Sequence, residues 1–182
     1  MFGTLSNFIL KIFGWQAINR LESRPGNCII IVAPHTSLWD FIIGRLSLSA
    51  YNLKGKFLIK KKYFRFPFKH LLKWAGGIPV DIEHGSNAAK HAIQIFKDSK
   101  DLCLIITPEG TRAYTKHWKK GYYFIAMAAK VPIVMGYVDY REKICCMDNI
   151  LMPSGDYEKD FKIITDFYRG KVGRHPERFN LS

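Results

Sequence analysis

Four residues separate His35 from Asp40 in the run Ala33-Pro34-His35-Thr36-Ser37-Leu38-Trp39-Asp40. An imidazole held through one nitrogen by a carboxylate has a fixed tautomer, and its other nitrogen can take a proton as a general base. The same two residues could instead be a helix-capping aspartate beside a solvated histidine. A second polar group, Pro108-Glu109-Gly110-Thr111-Arg112, follows later in the chain. Gly110 lets the backbone take a positive φ or approach a ligand closely. Arg112 offers a planar fork suited to phosphate or carboxylate. Glu109 either orients its loop by accepting backbone N–H bonds or helps to place a substrate hydroxyl. No Ser or Cys stands in a G-x-S-x-G nucleophile motif. The chemistry indicated by the residues is general-base catalysis by His35, and no nucleophile-elbow serine accompanies it.

Both groups sit where strands should end. Cys28-Ile29-Ile30-Ile31-Val32 is β-branched and bounded by Pro25-Gly26-Asn27, the pattern of a buried strand. Pro34 lacks the backbone donor and stops it. Thr36 and Ser37 are good helix N-caps, and a helix is predicted over 38–48 with Asp40 in its first turn. His35 then lies in a strand-to-helix turn at a sheet edge, where ligands tend to bind. A second buried strand is predicted over 102–107, turned by Pro108. Further strands are predicted over 56–59 and 78–82, and helices over 71–75, 87–99, 118–130 and 156–168. Strands over 133–140 and 143–147 read as an antiparallel hairpin at the edge of the sheet. The fold class is α/β: a single-domain mixed sheet covered by helices, with an N-terminal amphipathic helix. Its divisions are an N-terminal helical segment (1–24), the main domain (25–170) and a basic, loosely ordered tail (171–182).

The 182 residues carry 28 Lys and Arg against 15 Asp and Glu, a net charge of +13 that will be drawn to a polyanion. Zinc-finger spacing and aromatic RNA-binding signatures are missing from the sequence, which points away from nucleic acid. Residues 60–70, Lys-Lys-Lys-Tyr-Phe-Arg-Phe-Pro-Phe-Lys-His, interleave cations with aromatics, as suits the headgroup region of an anionic membrane. Lys60, at a predicted strand end, is a candidate phosphate contact, with Lys61, Lys62 and Arg65 equally eligible. Lys119 and Lys120 are candidates for holding an anionic donor.

In segment 1–21, Thr4, Asn7 and Lys11 share one narrow helical face, while Phe2, Leu5, Phe8, Ile9, Ile12 and Phe13 cover much of the rest. The polar positions interrupt it too early for a membrane span of about 20 apolar residues. It is either a helix lying in the membrane interface or one packed on the sheet. Cys28, Cys103, Cys145 and Cys146 all lie in apolar, strand-like runs and read as buried reduced thiols rather than a zinc site or disulfide framework. Such usage suits a peripheral protein on the cytoplasmic face of a membrane.

Together, His35-x4-Asp40 and Pro108-Glu109-Gly110-Thr111-Arg112 resemble the signature of the lysophospholipid (1-acylglycerol-3-phosphate) acyltransferase family. Gly76-Gly77-Ile78-Pro79-Val80-Asp81 looks like that family's second block and Val131-Pro132-Ile133-Val134 its fourth. The resemblance implies a glycerolipid acyltransferase-like fold. It also implies transfer of a fatty acyl group from a thioester, acyl-CoA or acyl-carrier protein, to the hydroxyl of a lysophospholipid such as 1-acylglycerol-3-phosphate, in phospholipid biosynthesis. His35 and Asp40 would be catalytic, and Glu109, Gly110, Thr111 and Arg112 would bind substrate. The thioester is the only co-substrate; neither cofactor nor metal is called for. An oxyanion stabiliser is needed, and a backbone N–H near Gly110 is the candidate. The family's second block usually continues with an arginine associated with the acceptor's phosphate. Here that position is Ile82, which cannot pair with phosphate. Either a nearby Lys, Arg or His84 compensates, or the acceptor carries a different headgroup. A thioester or lipid hydrolase, and a non-catalytic basic lipid-binding protein of the membrane surface, are the alternative readings.

Overall fold

Successive residues of a strand point to opposite faces, so a strand apolar throughout must be covered on both. β2 (Cys28–Val32) is such a strand. Ile29 and Ile31 pack with Leu104, Ile133 and Met135 on one face, and Cys28 and Ile30 with Leu48, Ile105 and Val134 on the other. The computed structural model describes residues 2–23, 25–80 and 85–181. Asp81, which ends the second block, and Ile82 and His84 beyond it lie outside them.

The other strands are β1 (Gln16–Asn19), β3 (Gly55–Lys60), β4 (Gly77–Val80), β5 (Cys103–Ile106), β6 (Ile133–Asp139) and β7 (Ile144–Leu151). They form one sheet in the order β1-β7-β6-β2-β5-β3-β4. Every pairing is parallel except β6 with β7. The mixed α/β architecture is thus as expected. Helices α1 (Phe2–Ile12) and α2 (Trp39–Ala50) cover one face through Leu10, Ile43 and Leu48. On the other lie α4 (Gly85–Lys97), α5 (Gly121–Ala129) and α6 (Tyr157–Tyr168), through Ala92, Phe96, Ile125, Ile164 and Tyr168. The short α3 (Phe68–Trp74) leads into edge strand β4. Because β2, β5 and β6 run parallel, the loops that follow them emerge at one edge of the sheet.

Three expectations are corrected. Residues 16–19 are not part of an N-terminal helix: α1 ends at Ile12, Gly14 takes a φ of 75°, and β1 pairs with β7. Within β1, Ala17 and Ile18 pack on opposite faces of the sheet, a period of two that a helical wheel blurs. The β6–β7 hairpin is consequently interior, with β1 outside it. The tail is also tied down. Its Phe179 ring lies 6.3 Å from Trp118, and Trp118 Nε1–H donates to the Asn180 carbonyl at 2.8 Å. A basic, polar composition concealed the two apolar anchors, Phe179 and Leu181, that pack on the core. All four cysteines are buried on strands, with Cys28 Sγ 3.5 Å from Cys103 Sγ across the β2–β5 ladder.

Helix α1 packs on the fold with one side and leaves an apolar side exposed. Ser6 and Leu10 are buried, and a Cβ at Gly3 would fall 3.0 Å from the Ser49 carbonyl of α2, so glycine permits the close crossing. Leu5, Phe8, Ile12 and Phe13 remain exposed.

Candidate active site

Beyond β2 the chain turns through a cis Ala33–Pro34 peptide and enters α2 at Trp39. Of the two expected caps, Ser37 Oγ accepts the Trp39 N–H at 3.3 Å, while Thr36 Oγ1 accepts the His175 N–H instead, and Leu38, just before the helix, makes no side-chain bond. Further bonds run backwards along the turn. Asp40, in the first turn, accepts the N–H groups of Thr36 and Ser37 on its Oδ2, both at 2.8 Å. The same oxygen lies 3.2 Å from His35 Nδ1. On the other side, the Tyr140 hydroxyl donates to Asp40 Oδ1 at 2.6 Å.

Asp40 is 4% exposed. Burial alone would push its carboxyl up, but the bonds from His35, Tyr140 and the Ser37 N–H outweigh it and hold the group below the ordinary aspartate value. A carboxylate facing Nδ1 keeps the proton there and leaves Nε2 as the acceptor. The His35 side chain is 19% exposed, so a substrate can reach it.

The loop after β5 grips the same turn. Glu109 is 1% exposed, and its Oε1 accepts the His35 N–H at 2.6 Å. Of the two roles open for this residue, the geometry realises backbone anchoring, now to the histidine's own peptide. Its Oε2 is buried without a hydrogen-bond partner among the described residues. Burial pushes Glu109 up to about 7, the Asp40 charge adds to the rise, and the His35 N–H bond opposes it. Between 4.5 and about 7 the unfolded carboxyl has lost a proton that the folded one keeps, so stability falls as pH rises through that window. The fall amounts to about 3 kcal/mol at 1.36 kcal/mol per pH unit. Glu109→Gln should flatten this slope in urea unfolding at pH 5 and pH 8. An unchanged slope would assign the titration to another group.

Gly110 takes a φ of 67°, and its N–H donates to the Thr107 carbonyl at 3.0 Å. The N–H of Gly110 itself is therefore already engaged, as are those of His35, Thr36 and Ser37. A Cβ at Gly110 would fall 2.8 Å from Lys119 Cδ, because the Lys119 chain lies across the glycine. Lys120 is held elsewhere, 3.4 Å from Glu158 Oε1 and over the Tyr157 ring. Thr111 Oγ1 accepts the Ala113 N–H at 3.2 Å and shapes the turn. Arg112 is exposed and makes no ion pair among the described residues. Lys60 ends β3 at the same sheet edge, two strands or about 10 Å from β2. No cluster of three or more His, Cys, Asp or Glu able to hold a metal ion occurs among the described residues. A groove of about 490 Å³ lined by Gly3, Asn7, Lys11 and Asn52 lies at the far end of α2 and contains none of the site residues.

Sequence reasoning missed Tyr140. It follows β6, whose parallel alignment with β2 carries it to Asp40, and its ring meets Trp15 edge-on at 4.9 Å. Burial and the Asp40 charge raise its phenol far above the ordinary value, so it stays a donor. Only knowledge of the strand order could have singled it out. Tyr140→Phe should slow turnover about tenfold, the value of one hydrogen bond to a charged group. A pH–rate profile should show the acidic limb, which reports protonation of the general base, displaced, and a purely structural role would not produce that.

A family model described as Acyltransferase matches residues 16–137. No curated protein matches the chain in sequence. Among solved structures, the crystal structure of the 1-acyl-sn-glycerophosphate (LPA) acyltransferase, PlsC, from Thermotoga maritima aligns with a TM-score of 0.63 at 16% identity. The alignment covers 91% of this chain and 74% of that one. At that identity the likeness is one of fold.

Proposed function

The chain belongs to the acyltransferase family, and we propose that it moves a fatty acyl group from a thioester, acyl-CoA or acyl-carrier protein, to the hydroxyl of a lysophospholipid such as 1-acylglycerol-3-phosphate. The observation that carries this reading is the Asp40 carboxylate set 3.2 Å from His35 Nδ1, in a turn whose backbone Glu109 anchors.

In this mechanism His35 Nε2 takes the acceptor's proton as the hydroxyl oxygen attacks the thioester carbonyl carbon. Asp40 keeps the imidazole in the correct tautomer and stabilises the imidazolium. The tetrahedral intermediate collapses, the carbon–sulfur bond breaks, and the thiolate recovers the proton from His35. Holding donor and acceptor side by side supplies much of the rate. Arg112 and Lys119, on the β5 side of the turn, steer anionic groups of the substrates, with Lys60 further along the edge.

The acceptor's source is a membrane, and the surface suits one. Leu38 and Trp39 are exposed at the start of α2 beside the active turn, on the face that also carries the apolar side chains of α1. Phe66 is 94% exposed, and Phe68, Leu71 and Trp74 follow it, among Lys61, Lys62, Arg65 and Lys69. Rings at the interface and cations at phosphate favour peripheral docking on an anionic surface, which we propose to be the cytoplasmic face of the membrane. No described helix is long and apolar enough to cross a bilayer.

The test is acyl transfer from palmitoyl-CoA and from palmitoyl-acyl-carrier protein to lysophosphatidic acid, other lysophospholipids and an amine-headgroup lysolipid. A new diacyl lipid supports the proposal, and the acceptor used sets the specificity. Release of free fatty acid alone would replace it with a hydrolase. Lipid binding without thioester consumption would replace it with a non-catalytic binder.

A further inference from the structure

Two flanks border the His35 turn, and different strands supply them. On the β5 side lie Arg112 and Lys119. On the β6 side lies the returning tail. Arg141 Nη2 donates to the Gly170 carbonyl at 2.8 Å, and the Tyr140 N–H to the Val172 carbonyl at 2.8 Å. Val172 N–H reaches Asp139 Oδ2 at 3.3 Å, and His175 N–H donates to the buried Thr36 Oγ1 at 3.1 Å. Between these ties Gly173 presses on the active turn, where a Cβ would fall 2.9 Å from Thr36 Oγ1 and 3.0 Å from Pro34 Cβ.

The strap thus places residue 174 beside the catalytic turn. Arg174 is exposed, with its guanidinium 5.7 Å from the Trp39 ring centroid, and its charge is felt at the Tyr140 phenol that caps Asp40. Its neighbours are engaged along the tail: His175 Nδ1 lies 3.7 Å and Arg178 Nε 3.6 Å from Glu177 Oε1. No carboxylate pairs with Arg174 among the described residues. A guanidinium fork steadied by an aromatic face and left without a carboxylate is suited to phosphate.

We propose that Arg174 forms a second anion subsite of the active centre, on the side of His35 opposite the 108–112 loop, and that it binds a phosphate group of one of the two substrates. The proposal rests on the acyl-transfer reading for its substrates, which are a lysolipid headgroup and the nucleotide phosphates of a CoA donor. It makes the tail part of the site rather than a loose end.

The experiment compares Arg174→Gln and Arg174→Lys with the parent protein. KM is measured for lysophosphatidic acid at saturating palmitoyl-CoA, and for palmitoyl-CoA at saturating lysophosphatidic acid. Kd for each is measured by isothermal titration in a His35→Ala background, where no turnover intervenes. Arg174→Gln should raise the KM and Kd of one substrate about tenfold, with a much smaller change in kcat and partial recovery in Arg174→Lys. A rise confined to lysophosphatidic acid assigns the subsite to the acceptor, and one confined to palmitoyl-CoA assigns it to the donor. Unchanged constants for both, or an equal loss for both, would overturn the proposal. If the parent transfers no acyl group, the acyl-transfer reading fails while the titrations still decide whether Arg174 holds phosphate.

Discussion

Alanine in place of His35 should lower acyl transfer by about 10²- to 10⁴-fold without unfolding the protein, the usual contribution of a positioned general base. The argument for a chemical rather than a structural loss is local. The contact of residue 35 with Glu109 uses its backbone N–H, which alanine retains. Asp40 would still receive the Thr36 and Ser37 N–H groups and the Tyr140 hydroxyl, so its charge would not be orphaned. Far-ultraviolet circular dichroism and the urea midpoint should therefore stay close to wild type while single-turnover transfer collapses. Retention of a tenth or more of the activity would remove His35 from the proton-transfer step.

Asp40→Asn should be nearly as damaging, by about 10²- to 10⁴-fold, although the side chain keeps its size. Oδ2 serves two N–H donors and faces His35 Nδ1, while Oδ1 accepts from Tyr140. An asparagine has only one oxygen. If that oxygen keeps the loop donors, the amide turns to Tyr140, whose hydroxyl can accept, and the geometry survives. What is lost is the negative charge opposite a developing imidazolium. The variant also has a stability signature. A carboxyl held below its ordinary value contributes stability that is present above the unfolded value, 3.8, and disappears as pH falls through the lower folded one. Asp40→Asn should accordingly be more destabilised relative to wild type at pH 7 than at pH 3 in urea titrations. Equal destabilisation at both would mean that the hydrogen-bond pattern, and not the charge, is what the turn requires.

The two buried carboxyls of this site are displaced in opposite directions for separable reasons. Asp40 collects donors on both oxygens, whereas Glu109 has one backbone donor and a second oxygen without a hydrogen-bond partner. Two carboxyls bound to the same turn thus differ because of hydrogen bonding and of the Asp40 charge felt at Glu109, burial being common to both. Residue type alone could not have distinguished them.

Much of the active edge is local in origin and so was legible in the sequence. β-Branched runs at 28–32 and 102–107 make strands, Pro34 and Pro108 end them, and a carboxylate early in the next helix can reach back to the histidine before it. The ordered motifs that these strands carry were enough for the family resemblance. Tertiary structure decided everything that depends on which strand lies beside which. Tyr140 reaches Asp40 from 100 positions away because β6 aligns parallel to β2. His175 reaches Thr36 from 139 positions away because the tail folds back beside that same strand end. β1 became a strand through pairing with β7, and the basic tail became part of the site's wall. Local propensity is written into neighbouring residues, whereas strand order comes from how two cores close on one sheet, and no window along the chain contains it.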